Sequence, residues 1–391
     1  MLNRKDVIVV GGGMVGSAAA LGLAKLGLSV QLIEQGSLPH FSADQPYDIR
    51  ISAISVASVN LLTELQAWQP ILAMRACPYR TLETWEIDGF STAFHSCDLG
   101  LNELGYMVEN NLIQLGLWQT FPDYPNLSSQ LNADIQQMEK CGHDWQLRLT
   151  SGECYHAPLV LACDGANSKL RQIAGIGLTG WQYRQSCMLI LVDTALAQQD
   201  ITWQQFSPSG PRAFLPLLGN QGCLVWYDSP ERIRELQKMP LEKLDKEIAQ
   251  AFPARLGAVK SRQAAAFPLT RRHAQDYYKN GIVLLGDSAH TINPLAGQGV
   301  NLGFKDVNVF LEVIAKAQKC GQAIDDETVL ARYQRLRQKD NLLMQSGMDL
   351  FYKGFKEDIL PLKILRNLAL IAVDKVSPIK KQALKYALGL A

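Results

Sequence analysis

Three carboxylates stand where short apolar runs break off: Glu34 after 29–33, Asp164 after 159–163, and Asp287 after 281–285 and Gly286. Each has glycine nearby. Gly11, Gly13 and Gly16 form G-x-G-x-x-G directly after the apolar run 6–10. Gly165 follows Asp164. Beyond Asp287 comes a loop with Pro294, Gly297 and Gly299, ending at Asn301. A carboxylate accepts hydrogen bonds from hydroxyls, and glycine lets backbone N–H groups approach a ligand closely. The combination suits a ligand with sugar or polyol hydroxyls and anionic groups.

The elements that hold these residues follow from local pattern. Residues 6–10 are β-branched and apolar after Asp6, as a central parallel strand requires. Small apolar residues at helical spacing fill 17–26, and Gly27 stops the helix. A second strand, 29–33, then delivers Glu34, eighteen residues beyond Gly16. Strand, glycine turn, helix, strand and acid form a dinucleotide-binding unit: the turn approaches a pyrophosphate, the helix N-terminus attracts its charge, and Glu34 takes the ribose hydroxyls. A carboxylate there disfavours a 2′-phosphate. The run 159–163 with Asp164-Gly165 and a helix near Lys169 makes a second such unit, and 281–285 with Gly286-Asp287 a third. A helix is expected over 301–317.

Between these units the pattern changes. Residues 80–94 read as a hairpin around Asp88-Gly89. Residues 53–65 and 105–121 read as helices, with Gln114 on the second. The stretch 127–156 reads as a meander of strands, and 181–267 as an antiparallel sheet whose aromatics form core or ligand wall, with a helix over 241–252 beside it. Arg50 suits either a phosphate contact or a surface ion pair. The expected fold class is therefore α/β: a discontinuous Rossmann-like nucleotide-binding domain (1–79, 102–180 and 268–355), an interleaved antiparallel β-sheet substrate domain (80–101 and 181–267), and a C-terminal helical tail (356–391).

Bulk composition excludes several classes. The net charge is +1 over 391 residues, with no basic field for nucleic acid. The eight cysteines have no C-x-x-C spacing and the six histidines do not cluster with them, so no metal is expected. Reduced, mostly buried thiols of a cytoplasmic protein are the simplest reading. The opening MLNRKDVIVV reads as the first strand rather than a signal peptide. No stretch approaches the ~18 apolar residues of a membrane span. From Ile359 onwards the chain carries Lys363, Arg366, Lys375, Lys380, Lys381 and Lys385 against Asp374; this stretch either rests on an anionic membrane surface as a peripheral contact or packs on the body.

The three motifs, in this order and spacing, resemble the flavin aromatic hydroxylases of the para-hydroxybenzoate hydroxylase type. DIRISAIS (48–55), GYMVEN (105–110), FPLTRRHA (267–274) and GDSAHTINPLAGQGVNLG (286–303) narrow the resemblance to the ubiquinone-biosynthesis hydroxylases. It implies non-covalent FAD held by Gly11, Gly13, Gly16, Glu34, Arg50, Gln114, Asp164, Gly286 and Asp287, with Pro294, Gly297, Gly299 and Asn301 along the flavin pyrimidine. It also implies NADH or NADPH as transient donor, O₂, and a polyprenyl benzoquinol substrate, a demethoxyubiquinol, hydroxylated through a flavin C4a-hydroperoxide. A ubiquinone-biosynthesis complex is a further implied partner. No side chain stands out as a catalytic base, and His290 reads as structural. The alternatives are a sister hydroxylase for another ring position, a flavin-dependent isoprenoid-lipid reductase, or a non-catalytic FAD-binding subunit.

Overall fold

The computed structural model describes residues 3–292 and 299–356, together with 381, 382, 384, 385 and 388–390. Pro294, Gly297 and most of the basic tail lie outside the described residues. The apolar runs VIVV, VQLI, LVLA and IVL form strands Val7–Val10, Val30–Ile33, Leu159–Ala162 and Ile282–Leu284, every residue of them buried. Strands covered on both faces have no polar side to show, hence the unbroken apolar sequence. They belong to a six-stranded sheet ordered Tyr278–Lys279, Ile282–Leu284, Leu159–Ala162, Val7–Val10, Val30–Ile33, Leu127–Gln130. All neighbours are parallel except the edge strand Tyr278–Lys279. Leu284, Ala162, Val10, Ile33 and Gln130 are Cα partners across the sheet. The segments that follow them therefore all leave from one carboxyl edge, where open parallel sheets bind ligands.

An eight-stranded sheet stands beside it, ordered His290–Thr291, Val259–Ala274, Leu178–Thr194, Gln221–Asp228, Arg212–Pro216, Ile201–Gln205, Thr81–Trp85, Ser91–His95. The hairpin around Asp88-Gly89 supplies its outer strands, and only Ile201–Gln205 against Thr81–Trp85 is parallel. Helices Pro230–Gln237 and Leu241–Ala251 cover one face, burying Trp85, Trp203, Phe214 and Trp226 with Ile233 and Ile248. These aromatics are core. The strands Leu178–Thr194 and Val259–Ala274 run without a break through positions 180 and 268.

Two stretches read as helices from their apolar spacing are strand followed by helix. Ile51–Ser55 pairs antiparallel with Gly105–Glu109, and Val56–Glu64 and Asn110–Gln119 are the helices that follow. A short alternating strand running into a helix has no Gly or Pro to mark the change, so periodicity alone extends the helix backwards. Cys77–Tyr79 completes this three-stranded sheet, which packs on the second face of the eight-stranded one. In the 127–156 meander, Leu127–Gln130 belongs instead to the parallel sheet, and Ile135–Cys141, Asp144–Leu149 and Cys154–Ala157 join Asn3–Arg4 in a four-stranded one. Of the cysteines, Cys77, Cys187 and Cys223 are buried while Cys97, Cys141 and Cys320 are exposed, so burial is not the general state of the thiols. Helix Gly299–Lys319 packs on Met14–Lys25, close enough that a Cβ on Gly22 would lie 2.2 Å from Leu311.

Candidate functional site

The three glycines of the first motif do different things. Gly11 has φ +99°, and a Cβ there would sit 2.3 Å from the Cys163 carbonyl oxygen. At Gly16 a Cβ would lie 1.9 Å from the Gly11 carbonyl oxygen, so helix Met14–Lys25 can abut the turn only without a side chain. Gly13 is different: a Cβ would meet nothing within 4 Å among the described residues. Gly13 is also the N-cap of that helix, and no side chain caps it. The first N–H groups are thereby left for an anion.

Glu34 closes the loop. Its carboxylate accepts the Gly12 N–H, and its Oε1 accepts the Gly36 N–H at 2.7 Å. The Gly12 carbonyl accepts Gln114 Nε2 at 2.8 Å, Trp118 Nε1 at 2.9 Å and Ser17 Oγ at 2.8 Å. Gln114 is thus half-buried and tied to the glycine loop. Trp118, one helical turn further on the same face, completes the clamp and had no sequence signal beyond that spacing.

Asp164 Oδ2 caps helix Lys169–Ile173, accepting the N–H groups of Lys169 (2.8 Å) and Leu170 (3.2 Å). Its Oδ1 is buried and has no hydrogen-bond partner among the described residues. Buried Arg171 ties this turn to the third motif, donating from Nη1 to the Ser288 carbonyl at 2.9 Å.

Strand Ile282–Leu284 belongs to the parallel sheet, yet His290–Thr291 pairs with Arg272–His273 of the antiparallel one. Gly286-Asp287 is therefore the crossing point between the sheets. Asp287 is open to solvent while protein crowds most directions around it, the environment of a cleft floor. Desolvation raises its pKa, opposed by His290 and Arg50. Arg50 is exposed, and its guanidinium has no ion-pair partner among the described residues. Arg75 makes the ion pair instead, gripping buried Glu109 through Nε (2.8 Å) and Nη2 (2.9 Å), while Glu109 also accepts the Asp48 N–H at 2.7 Å. That clamp shapes the loop leading into Arg50.

Gly286 has φ +64°, and Cβ atoms on Gly286 and Gly303 would lie 3.1 and 2.6 Å from Val15 Cγ2. First and third motifs thus touch through Val15. At Gly299, the first described residue of its helix, a Cβ would meet nothing within 4 Å among the described residues. Asn301 is a staple: Nδ2 donates to the Ala53 carbonyl (2.8 Å), and Oδ1 accepts Ser55 N–H (3.0 Å) and Ser58 Oγ (2.7 Å). Its side chain is committed to protein.

A charged network behind the loop escaped the sequence reading. Fully buried Asp306 accepts the Gly286 N–H (3.0 Å), His290 Nε2 (2.5 Å), Arg337 Nε (2.7 Å) and Asn341 Nδ2 (3.1 Å). Burial pushes its pKa up, but His290 and Arg337 outweigh that and hold it well below the carboxylate range. His290 is buried in this pair and is structural. The only signal was an acid on a buried helix face; its partners lie too far along the chain to be matched by spacing.

His273, opposite His290 in the ladder, has no hydrogen-bond partner on either ring nitrogen among the described residues. Burial first, then His290 and Arg271, lower its pKa to about 4. The unfolded chain binds this proton below about 6.5, whereas the fold refuses it until about 4. Stability at this site is therefore full above the unfolded value and lost as pH falls through that window. Tm measured from pH 7 to 4 is expected to fall less steeply in His273→Phe than in the unsubstituted protein; equal slopes would remove the assignment.

A family profile described as "FAD binding domain" matches residues 4–340. The chain is 51% identical to the 3-demethoxyubiquinol 3-hydroxylase of Escherichia coli (strain K12), covering 98% of both chains. It is 32% identical to ubiquinone hydroxylase UbiL of Rhodospirillum rubrum, covering 98% of this chain and 89% of that one. Among solved structures, p-nitrophenol 4-monooxygenase PnpA from Pseudomonas putida DLL-E4 superposes with a TM-score of 0.82 at 19% identity over 100% of this chain and 99% of that one, a likeness of fold. The fold expected from the resemblance, a mixed α/β flavin-monooxygenase architecture, is the one observed. The chain belongs to the FAD-binding-domain family, and within it to the ubiquinone-biosynthesis hydroxylases.

Proposed function

We propose that this protein is an FAD-dependent monooxygenase that hydroxylates the ring of a polyprenylated demethoxyubiquinol. The observation that carries the reading is the end-to-end 51% identity with the E. coli 3-demethoxyubiquinol 3-hydroxylase. The geometry fits the cofactor: the open side of Gly13, the uncapped helix behind it and the orphaned Asp164 Oδ1 are features that bound FAD would use. Bound FAD supplies hydride acceptance and oxygen activation.

The chain's own part is binding and electrostatics. Gly11, Gly13 and Gly16 let the pyrophosphate approach the helix N-terminus, which carries roughly +0.5 of an elementary charge. Glu34, oriented by the Gly12 and Gly36 N–H groups, keeps lone pairs for ribose hydroxyls. Gln114 holds the Gly12 carbonyl and so the loop against the cofactor. Asp164 Oδ1 accepts from the cofactor or the reduced nicotinamide, and Asp287 accepts from the ribityl hydroxyls. Arg50, exposed and without an ion-pair partner among the described residues, meets negative charge. Gly299, at the start of helix Gly299–Lys319, would help hold the flavin, and the helix dipole there would favour negative charge; Pro294 and Gly297 belong to the same loop by sequence. No protein base is needed, because the quinol's own hydroxyls activate the ring.

In this reading 1–79, 102–180 and 268–355 hold FAD and 80–101 with 181–267 faces the substrate, the long strands of the eight-stranded sheet joining the two. The electron donor is NADH or NADPH. Among the described residues no helix is long and apolar enough to cross a membrane. The basic tail supports a peripheral contact with the membrane that holds the polyprenyl substrate.

The test is anaerobic reduction of the FAD-loaded protein by NADH or NADPH, followed by ¹⁸O₂ and a short-chain demethoxyubiquinol. Bleaching of the flavin band and one ¹⁸O atom in the hydroxylated ring are expected. Reoxidation that leaves the quinol without ¹⁸O removes the hydroxylase reading.

A further inference from the structure

The eight-stranded sheet has a second face, away from the aromatic core, and it is graded. At one end Leu191 pairs with Cys223, both buried among Ala53, Cys77 and Met107. In the middle Leu189 pairs with Val225, and both are only half-buried. Ile49 and Ile51, which flank Arg50, are half-buried against the same cluster. At the other end Cys187 pairs with Tyr227.

Two polar atoms at that end lack a full hydrogen-bond partner among the described residues. Tyr227 is 2% exposed, and its phenolic oxygen makes no hydrogen bond among the described residues. The thiol of Cys187 beside it is at best a weak partner. Gln185 is 7% exposed; its Nε2 donates to the Ser209 carbonyl at 2.8 Å, which sets the amide orientation and leaves Oε1 buried and unpartnered. Both residues border Gly210, whose Cβ would fall 2.8 Å from Tyr227 Cβ and 3.1 Å from Gln185 Nε2. A buried donor and a buried acceptor at the same end of the sheet, both unsatisfied, destabilise a fold unless a ligand completes them. A ring hydroxyl both donates and accepts, so it would satisfy the pair.

We propose that Tyr227 Oη and Gln185 Oε1 are the specificity pair that recognises a ring hydroxyl of the quinol, with the other ring substituents against Leu189 and Val225. This rests on the proposed function and adds which atoms choose the substrate. A site built to hydrogen-bond a hydroxyl rejects an analogue without it.

The test uses FAD-loaded Tyr227→Phe, a short-chain demethoxyubiquinol, and the mono-O-methyl ethers of that quinol. The unsubstituted protein is expected to prefer the free quinol over the ether blocked at the recognised hydroxyl. In Tyr227→Phe, kcat/KM for the quinol falls by about tenfold, the loss of one hydrogen bond. Discrimination against the ether narrows, and less hydroxylated product forms per O₂ consumed. FAD content stays the same, and Tm is unchanged or higher, because an unsatisfied hydroxyl has been removed. Unchanged kcat/KM and discrimination overturn the proposal, as does a fall in Tm with loss of FAD, which assigns the phenol to the fold. If the unsubstituted protein hydroxylates no quinol, the functional reading itself fails. If it does so and Tyr227→Phe matches it, only the specificity pair fails.

Discussion

Asp306→Ala is expected to destabilise the protein by about 3–5 kcal/mol, the cost of breaking a buried ion pair from one side. The substitution leaves the Arg337 guanidinium and the His290 ring buried without their anion, and frees the Gly286 N–H. Arg337 keeps Asp340 and Asn341, which limits its own loss. The Gly286 N–H has no second acceptor among the described residues. The effect should therefore appear first at the cofactor loop: FAD leaves at a lower denaturant concentration than the one that unfolds the sheets. Urea titration followed by flavin fluorescence and by far-UV circular dichroism separates the two events. Coincident curves at the unsubstituted midpoint would show that the network contributes nothing. An Asp306→Leu, Arg337→Met double variant is expected to recover part of the loss, since removing both charges is cheaper than stranding one.

Gly13→Ala and Gly16→Ala are expected to fail in different ways. At Gly16 the new Cβ would lie 1.9 Å from a backbone oxygen that cannot move without dismantling the turn. The apoprotein itself is destabilised. At Gly13 the new Cβ meets no atom of the described residues within 4 Å, so the apoprotein is expected to keep its Tm. The methyl stands instead on the side from which the pyrophosphate approaches, and FAD affinity falls by at least about a hundredfold, or about 2.7 kcal/mol. Because FAD stabilises only the folded state, the rise in Tm on adding FAD shrinks in Gly13→Ala while the FAD-free Tm does not change. A Gly13→Ala protein that purifies with stoichiometric FAD would refute the assigned approach.

Much of the nucleotide-binding half was legible because each of its features is local. The glycine turn, the helix stop at Gly27, Glu34 after its strand and the Asp88-Gly89 hairpin all depend on neighbours within a few residues. The two helices read too long, over 53–65 and 105–121, failed for the converse reason. Ile51–Ser55 and Gly105–Glu109 become strands by pairing with each other, some fifty residues apart, and neither sequence announces the partner. Arg50 and Gln114 show both sides of the same limit. Their positions drew attention, yet only the fold showed that Arg50 has no ion-pair partner among the described residues and that Gln114 holds the Gly12 carbonyl.

The amino-acid sequence by itself determined the strand–turn–helix units, the order of the three motifs and the carboxylates placed at strand ends, because backbone sterics and hydrophobic period act over short range. Tertiary structure alone decided the rest. It placed Glu34, Gly11, Asp164 and Asp287 along one sheet edge through a shared register. It carried the chain from one sheet into the other between Leu284 and His290. It also matched buried Asp306 to His290, Arg337 and Asn341. A charge in a sequence carries no mark of its partner. Burial makes the pairing obligatory, and burial is a property of the assembled fold.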